Sequence, residues 1–138
     1  MDDKKIIYLQ MIQQAIDRMS GNAALYKGFS AAMVTGATVA AYRELNIWLL
    51  LLSMLPVLAF FSLDTYYLSL ERRYRFLYDQ VRTDEHPVDF AMKPSGEPFD
   101  LLRAKARFLD CIKSPAIYRY YLIVGLFMVG LCCYRIIM

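Results

Sequence analysis

LNIWLLLLSMLPVLAFFSLDTYYLSLERRYRFLYDQVR, residues Leu45 to Arg82, decides the fold. Its first nineteen residues, Leu45 to Leu63, carry no charge. As a helix they extend roughly 28 Å at about 1.5 Å per residue, close to the hydrocarbon thickness of a bilayer. Asp64-Thr65-Tyr66-Tyr67 follows, then Leu68 to Arg82 with neither glycine nor proline, so nothing stops the helix where it leaves the lipid. The expected element is one long rod, half in lipid and half in water. Trp48 stands where an indole suits an interface, and Pro56 removes a backbone donor and predicts a kink.

Working outward, the 138 residues have room for one domain, and 58% hydrophobic content with a positive mean hydropathy is high for a soluble fold of that size. The expected class is an all-α integral membrane protein. Its parts are an amphipathic cytoplasmic helix at 1–22, a transmembrane hairpin at 23–68, a cytoplasmic helical region with a loop at 69–114, and a third transmembrane helix at 115–138. The net charge of +3 does not point to nucleic acid, because the basic residues follow the membrane topology instead of one face.

On the N-terminal side, Met1-Asp2-Asp3-Lys4-Lys5 leads into a polar amphipathic stretch, unlike a cleavable signal with its short apolar core. Residues 4–20 set Tyr8, Leu9, Met11, Ile12, Ala15, Ile16 and Met19 on one helical face. Ser20-Gly21-Asn22 predicts a bend or restart. Gly28 to Tyr42 is a short uncharged first span of about 22 Å between Lys27 and Arg43. Gly28, Ala32, Gly36 and Ala40 recur every four residues, a stripe on which another backbone can approach closely. Ala31, Thr35, Thr38 and Tyr42 form a hydroxyl-bearing line that either lines a wet path or bonds back to its own backbone. Arg43-Glu44-Leu45-Asn46 suits a tight turn, so the two spans form an antiparallel hairpin.

Beyond the membrane, Leu63, Tyr67, Leu70, Tyr74, Leu77 and Val81 repeat at 4-3-4-3-4, a seam for another helix. The face Tyr8, Ile12, Ala15 and Met19 has matching spacing, and the hairpin returns both segments to one side of the membrane. Residues 83–99 read as a loop in which Val88, Phe90 and Met92 tuck back. Asp100 caps an amphipathic helix over 101–113 with Leu101, Leu102, Phe108, Leu109 and Ile112 on its apolar face. Ser114-Pro115 opens the third span, uncharged from Tyr120 to Tyr134. Ten Lys or Arg lie between Ser69 and Arg119 and four more up to Lys27, whereas Arg43 and Arg135 alone fall on the other side. The N-terminus and central region are therefore expected in the cytoplasm of an inner-membrane protein.

No enzymatic constellation, metal site or cofactor site is expected. The single histidine, His86, excludes a multi-histidine site, and no glycine-rich turn precedes a lysine. Asp84, Glu85 and Asp89 read as a solvated acidic loop, and Cys111, Cys132 and Cys133 as small apolar residues. The candidate site is an interfacial polar clasp or gate. Asp64 ends the apolar run and needs a partner, and Glu71 with Arg75 lies further along the same helix. Arg18, Asn22 and Lys27 reach that level from the first helix. A clasp fixes the hairpin, whereas a gate holds the mouth of an oligomeric pore closed.

The same residues carry a resemblance. MIQQAIDRMSGNAALYKGF (Met11 to Phe29), LDTYYLSLERRYRFLYDQVR (Leu63 to Arg82) and VDFAM (Val88 to Met92) resemble recurrent segments of a group of small bacterial inner-membrane proteins. That group is similar to the SLATT-type membrane hairpin effectors of anti-phage defence systems. The similarity covers most of residues 8–95, and the third span after Pro115 departs from the usual ending. It implies a homo-oligomeric membrane effector that alters permeability under control of a soluble defence partner or a small signalling molecule. It implies no catalytic residue. The alternative is a non-conducting anchor or adaptor that recruits a soluble partner.

Overall fold

The computed structural model describes residues 3–44, 47–92 and 108–137, and over them every regular element is a helix. Helix α1 runs Asp3–Glu44, α2 runs Ile47–Arg82, α3 is the short Phe108–Ile112, and α4 runs Pro115–Ile137. Two of these are long and apolar enough to cross a membrane, through the Leu51–Arg82 part of α2 and the Pro115–Tyr134 part of α4. Helix α1 is not among them.

Of the bend or restart expected at Ser20-Gly21-Asn22, the restart is absent, because α1 passes through as one helix. An interior glycine costs about 1 kcal/mol relative to alanine, and packing on both sides of Gly21 outweighs that. Ile16 is buried before it, Ala23 is buried after it, and Lys27 is tied to α2. The boundary placed at residue 22 therefore falls inside a helix. Helix α2 likewise continues through Pro56.

At one end, α1 and α2 form a closed head. Tyr8, Leu9, Ile12 and Ile16 pack against Leu77 and Val81, with Tyr74 alongside, so the two seams meet as their spacing predicts. Toward the apolar end the seam opens, and Leu63 is exposed. After Arg82 the chain turns at Asp84, whose φ of 62° suits a helix C-terminus. The Lys5 ammonium pairs with the Asp84 carboxylate at 2.6 Å and donates to the Arg82 carbonyl at 3.0 Å.

Residues 88–92 fold back over the head as expected. Val88 and Met92 pack on the core, and the Phe90 ring lies 5.4 Å from that of Tyr8. Tyr8 donates to the Ala91 carbonyl at 2.7 Å and Tyr74 to that of Met92 at 3.1 Å. Burial, then the charge of Asp89, pushes the Tyr8 hydroxyl up to about 12, which keeps it a donor. These contacts hold Phe90 at a φ of 57°, unfavourable for a bulky side chain.

Residues 93–107 lie outside the described residues, and with them the first part of the helix expected at 101–113. In the remainder, Leu109 is exposed, Ile112 is half-buried and Cys111 is buried. Burial pushes the Cys111 thiol pKa up, and Arg72 beside it opposes this. Helix α4 packs across the hairpin, with Met128 against Val34 of α1 and Met54 and Val57 of α2.

Candidate functional site

Where the apolar part of α2 ends, three helices converge on a buried polar knot. Asp64 is forced inward by its position, since its neighbours Leu63 and Tyr66 take the exposed face while Asp64 and Thr65 turn toward α1. The Lys27 ammonium meets the carboxylate at 2.8 Å from Oδ1 and 2.7 Å from Oδ2. Only the first contact is aligned as a hydrogen bond, and the second is electrostatic. The Asp64 side chain is 1% exposed and that of Lys27 26%, so the anion is sealed while the cation has a path to solvent. Thr65 bonds back to the Phe61 carbonyl at 2.8 Å and adds no charge compensation.

Helix α4 closes the knot. Tyr120 donates to the Lys27 carbonyl at 2.7 Å, and its hydroxyl lies 2.8 Å from Ser30 Oγ. Ser30 is fully buried and also reaches the Lys27 carbonyl, at 2.9 Å. Two hydroxyl protons thus serve three contacts, and they settle in more than one pattern without moving a heavy atom. Tyr121 buries its hydroxyl beside Asp64 and Ser30 without an aligned partner, its ring standing edge-on to Phe61 at 5.0 Å.

Of the six residues expected in the clasp, the structure brings together Lys27 and Asp64. Arg18 is exposed and Asn22 half-buried, and neither bonds to the pair. Glu71 and Arg75 close on each other at 2.7 Å along α2, an i,i+4 pair apart from the knot. Their spacing from Asp64 set them on a similar face, but seven residues displace Glu71 by about 10 Å along the axis, beyond the reach of one carboxylate to another's cation. Ser30, Tyr120 and Tyr121 went unrecognised in the sequence. The tyrosine pair at the start of an uncharged span was the available signal.

Among the described residues, no helix closes over the small-residue stripe. Gly28, Ala32, Gly36 and Ala40 are exposed, and nothing lies within 4 Å of where a Cβ would stand on Gly28 or Gly36. Part of the stripe floors an open apolar groove of about 490 Å³, walled by Phe29, Met33, Pro56 and Phe60. The hydroxyl line resolves as local bonding, with Thr35 donating to the Ala31 carbonyl at 2.9 Å and Thr38 to that of Val34 at 2.8 Å. The side chain of Tyr42 lies outside the described residues. Among the described residues no group of His, Cys, Asp and Glu is arranged to hold a metal ion.

No family model, curated protein or solved structure matches the chain. The knot therefore has to be interpreted on its own chemistry. It seals one carboxylate against a partly exposed ammonium and fastens a third helix to a helical pair.

Proposed function

We propose that this chain is a multi-pass inner-membrane effector that oligomerises through its lipid-embedded helices and alters membrane permeability when triggered, in bacterial anti-phage defence. In this reading residues 28–42, 47–63 and 120–134 cross the membrane, and the N-terminus and the 69–114 region are cytoplasmic, as the cation distribution favours. The knot supports three crossings, because it ties Lys27, Asp64 and Tyr120 together where each apolar segment begins. The defence setting rests on the resemblance of residues 11–29, 63–82 and 88–92 to the SLATT-type hairpin proteins.

The groove floored by Ala32, Gly36, Ala37 and Ala40 carries the oligomeric part. Helices in lipid gain little from apolar burial and associate where backbones come close, so an open glycine and alanine floor favours a helix from a second copy. The enclosed Asp64–Lys27 pair fits a resting state in which no carboxylate lines a water path.

A membrane-potential dye in cells expressing the protein, with and without phage challenge, tests the reading. Challenge should depolarise wild-type cells. Gly36→Leu should abolish the response and reduce the detergent-solubilised size, since overpacking of this kind costs about 1 to 3 kcal/mol. Unchanged size and activity in the variant would mean that the stripe faces lipid. Polarised cells under every condition would instead favour an anchor or adaptor. That second reading draws on Ile6, Ile7 and Met11, which stay exposed on the otherwise closed head and offer a soluble partner an apolar face.

A further inference from the structure

Two half-buried cations of α2 lack the counterion that its other paired arginines have. Arg75 meets Glu71 and Arg82 meets Asp79, as Lys5 and Lys27 of α1 meet Asp84 and Asp64. Arg72 and Arg73 are half-buried and form no ion pair with a carboxylate among the described residues. The Nε of Arg73 is shielded from water and has no hydrogen-bond partner. A charged donor in that position is costly until an acceptor reaches it.

Both arginines lie beside Cys111, where the end of α3 and the start of α4 pack on α2 and bury Cys111, Ser114 and Ile117. Lys113 is exposed at the same junction. Two carboxylates are close by. Glu71 is held by Arg75, and Asp110, beside Cys111, is exposed and makes no ion pair among the described residues.

The depth of this cluster follows from the knot. The Lys27–Asp64 contact and the Tyr120–Lys27 bond set the near ends of the three apolar segments at one level. Arg72 and Arg73 stand eight and nine residues beyond Asp64, about 12 to 14 Å along the helix. Helical side chains lean toward their own N-terminus, which for α2 is the apolar half, so these two lean back toward the knot. A headgroup layer adds roughly 5 to 8 Å to each side of the hydrocarbon. The guanidinium groups are therefore offered to that layer, whose fixed anion is phosphate.

We propose that Arg72 and Arg73, with Lys113 beside them, form a binding site for the phosphate of an anionic phospholipid at the cytoplasmic surface. The inference rests on the reading that residues 28–42, 47–63 and 120–134 cross the membrane. Guanidinium forks match phosphate oxygens two at a time, and basic pockets between membrane helices on the cytoplasmic side suit such headgroups. A lipid bound here joins α2 to the α3–α4 junction outside the knot.

The test uses the full chain in neutral detergent with equimolar phosphatidylglycerol and phosphatidylcholine, and mass spectrometry of the intact complex counts the lipid retained. Both lipids carry a phosphate, but only the first leaves its charge uncompensated. Phosphatidylglycerol should be retained at least fivefold more. Arg72→Gln with Arg73→Gln should lower its retention more than tenfold, at about fivefold for each charge. Arg75→Gln, which removes a cation already paired with Glu71, should leave it unchanged. No preference, no loss in the double variant, or an equal loss in Arg75→Gln overturns the site. Displacement of the lipid by millimolar inorganic phosphate overturns the lipid assignment in favour of a soluble phosphate.

If the glutamine pair loses helical signal, Arg72→Lys with Arg73→Lys is measured instead, since it keeps both charges and removes the forks. Reduced retention then supports the site and full retention overturns it. Trp48, the single tryptophan, checks the underlying reading separately in vesicles of brominated phosphatidylcholine. Quenched Trp48 without a lipid preference overturns the inference alone, whereas unquenched Trp48 overturns the membrane-spanning reading and the inference with it.

Discussion

The two ends of the α1–α2 pair use the same antiparallel contact for different purposes. In the head, Tyr8, Ile12 and Ile16 meet Leu77 and Val81 and the 88–92 strap covers them, so the apolar stripe is consumed within the chain. In the apolar half, Leu25, Phe29 and Met33 of α1 and Leu51, Leu55 and Leu58 of α2 stay exposed, and so do Ile123, Leu126 and Phe127 of α4. Water outside the head makes exposed apolar area costly, at about 25 cal/mol per Å², whereas in the proposed membrane setting lipid around the other half would remove that cost. Cohesion there must come from something other than apolar burial. The polar knot supplies part of it, beside the close packing of Met128 on Val34.

The sharpest test of this contrast separates the two members of the buried pair. Breaking a buried ion pair by removing one partner costs about 3 to 5 kcal/mol, because the remaining charge is stranded. The stranding is unequal here. Lys27→Met leaves a carboxylate that is 1% exposed, which must take up a proton or open the structure, whereas Asp64→Asn leaves an ammonium with a route to solvent. Lys27→Met should therefore be the more destabilising in detergent unfolding followed by helical signal, and the double variant should recover part of the loss. Equal costs would mean that water already reaches Asp64. Should Asp64→Asn instead match wild-type abundance and depolarise cells without challenge, the pair is a gate and its structural role is secondary.

How far the sequence disclosed this division depends on the range of the interaction. The seams at Tyr8 to Met19 and Leu63 to Val81 were legible because helical spacing records which face is buried, and the same logic identified Asp64 as a carboxylate in need of a partner. Lys27 was legible as the cation flanking a short span. Ser30 and Tyr120 were not, since they lie ninety residues apart in sequence and nothing local marks their meeting. The continuity of α1 through Gly21 escaped for a related reason, because local propensity argues for a break and distant packing overrules it. Glu71 and Arg75 show the opposite error, where a correct local pair was assigned to a distant partner.

A second test acts on the head alone. Leu77 is fully buried against Tyr8 and Ile12, and Leu→Ala at such a site costs about 2 to 5 kcal/mol. Leu77→Ala should expose the head to proteolysis near residues 82–92 while Trp48 quenching by brominated lipid stays as in wild type. Loss of both together would show one cooperative unit, with head and membrane half inseparable.

The smallest effect belongs to the bond that ties α4 to the pair. Tyr120→Phe removes a hydroxyl that donates to the Lys27 carbonyl, a contact worth about 0.5 to 1.5 kcal/mol. The low end is expected, because Ser30 still reaches that carbonyl at 2.9 Å and no buried acceptor is left without a donor. Apolar docking also persists through Met128 against Val34 and the Phe61–Tyr121 ring contact. Crosslinking between cysteines placed at exposed positions of α1 and α4 should weaken slightly while head proteolysis is unaffected. If α4 separates altogether, the apolar contacts are too weak to hold it in lipid, and the knot rather than helix packing sets the three-helix arrangement. If nothing changes, Tyr120 is present for its place at the interface, and the near level of α4 is fixed by Tyr121 and its neighbours instead.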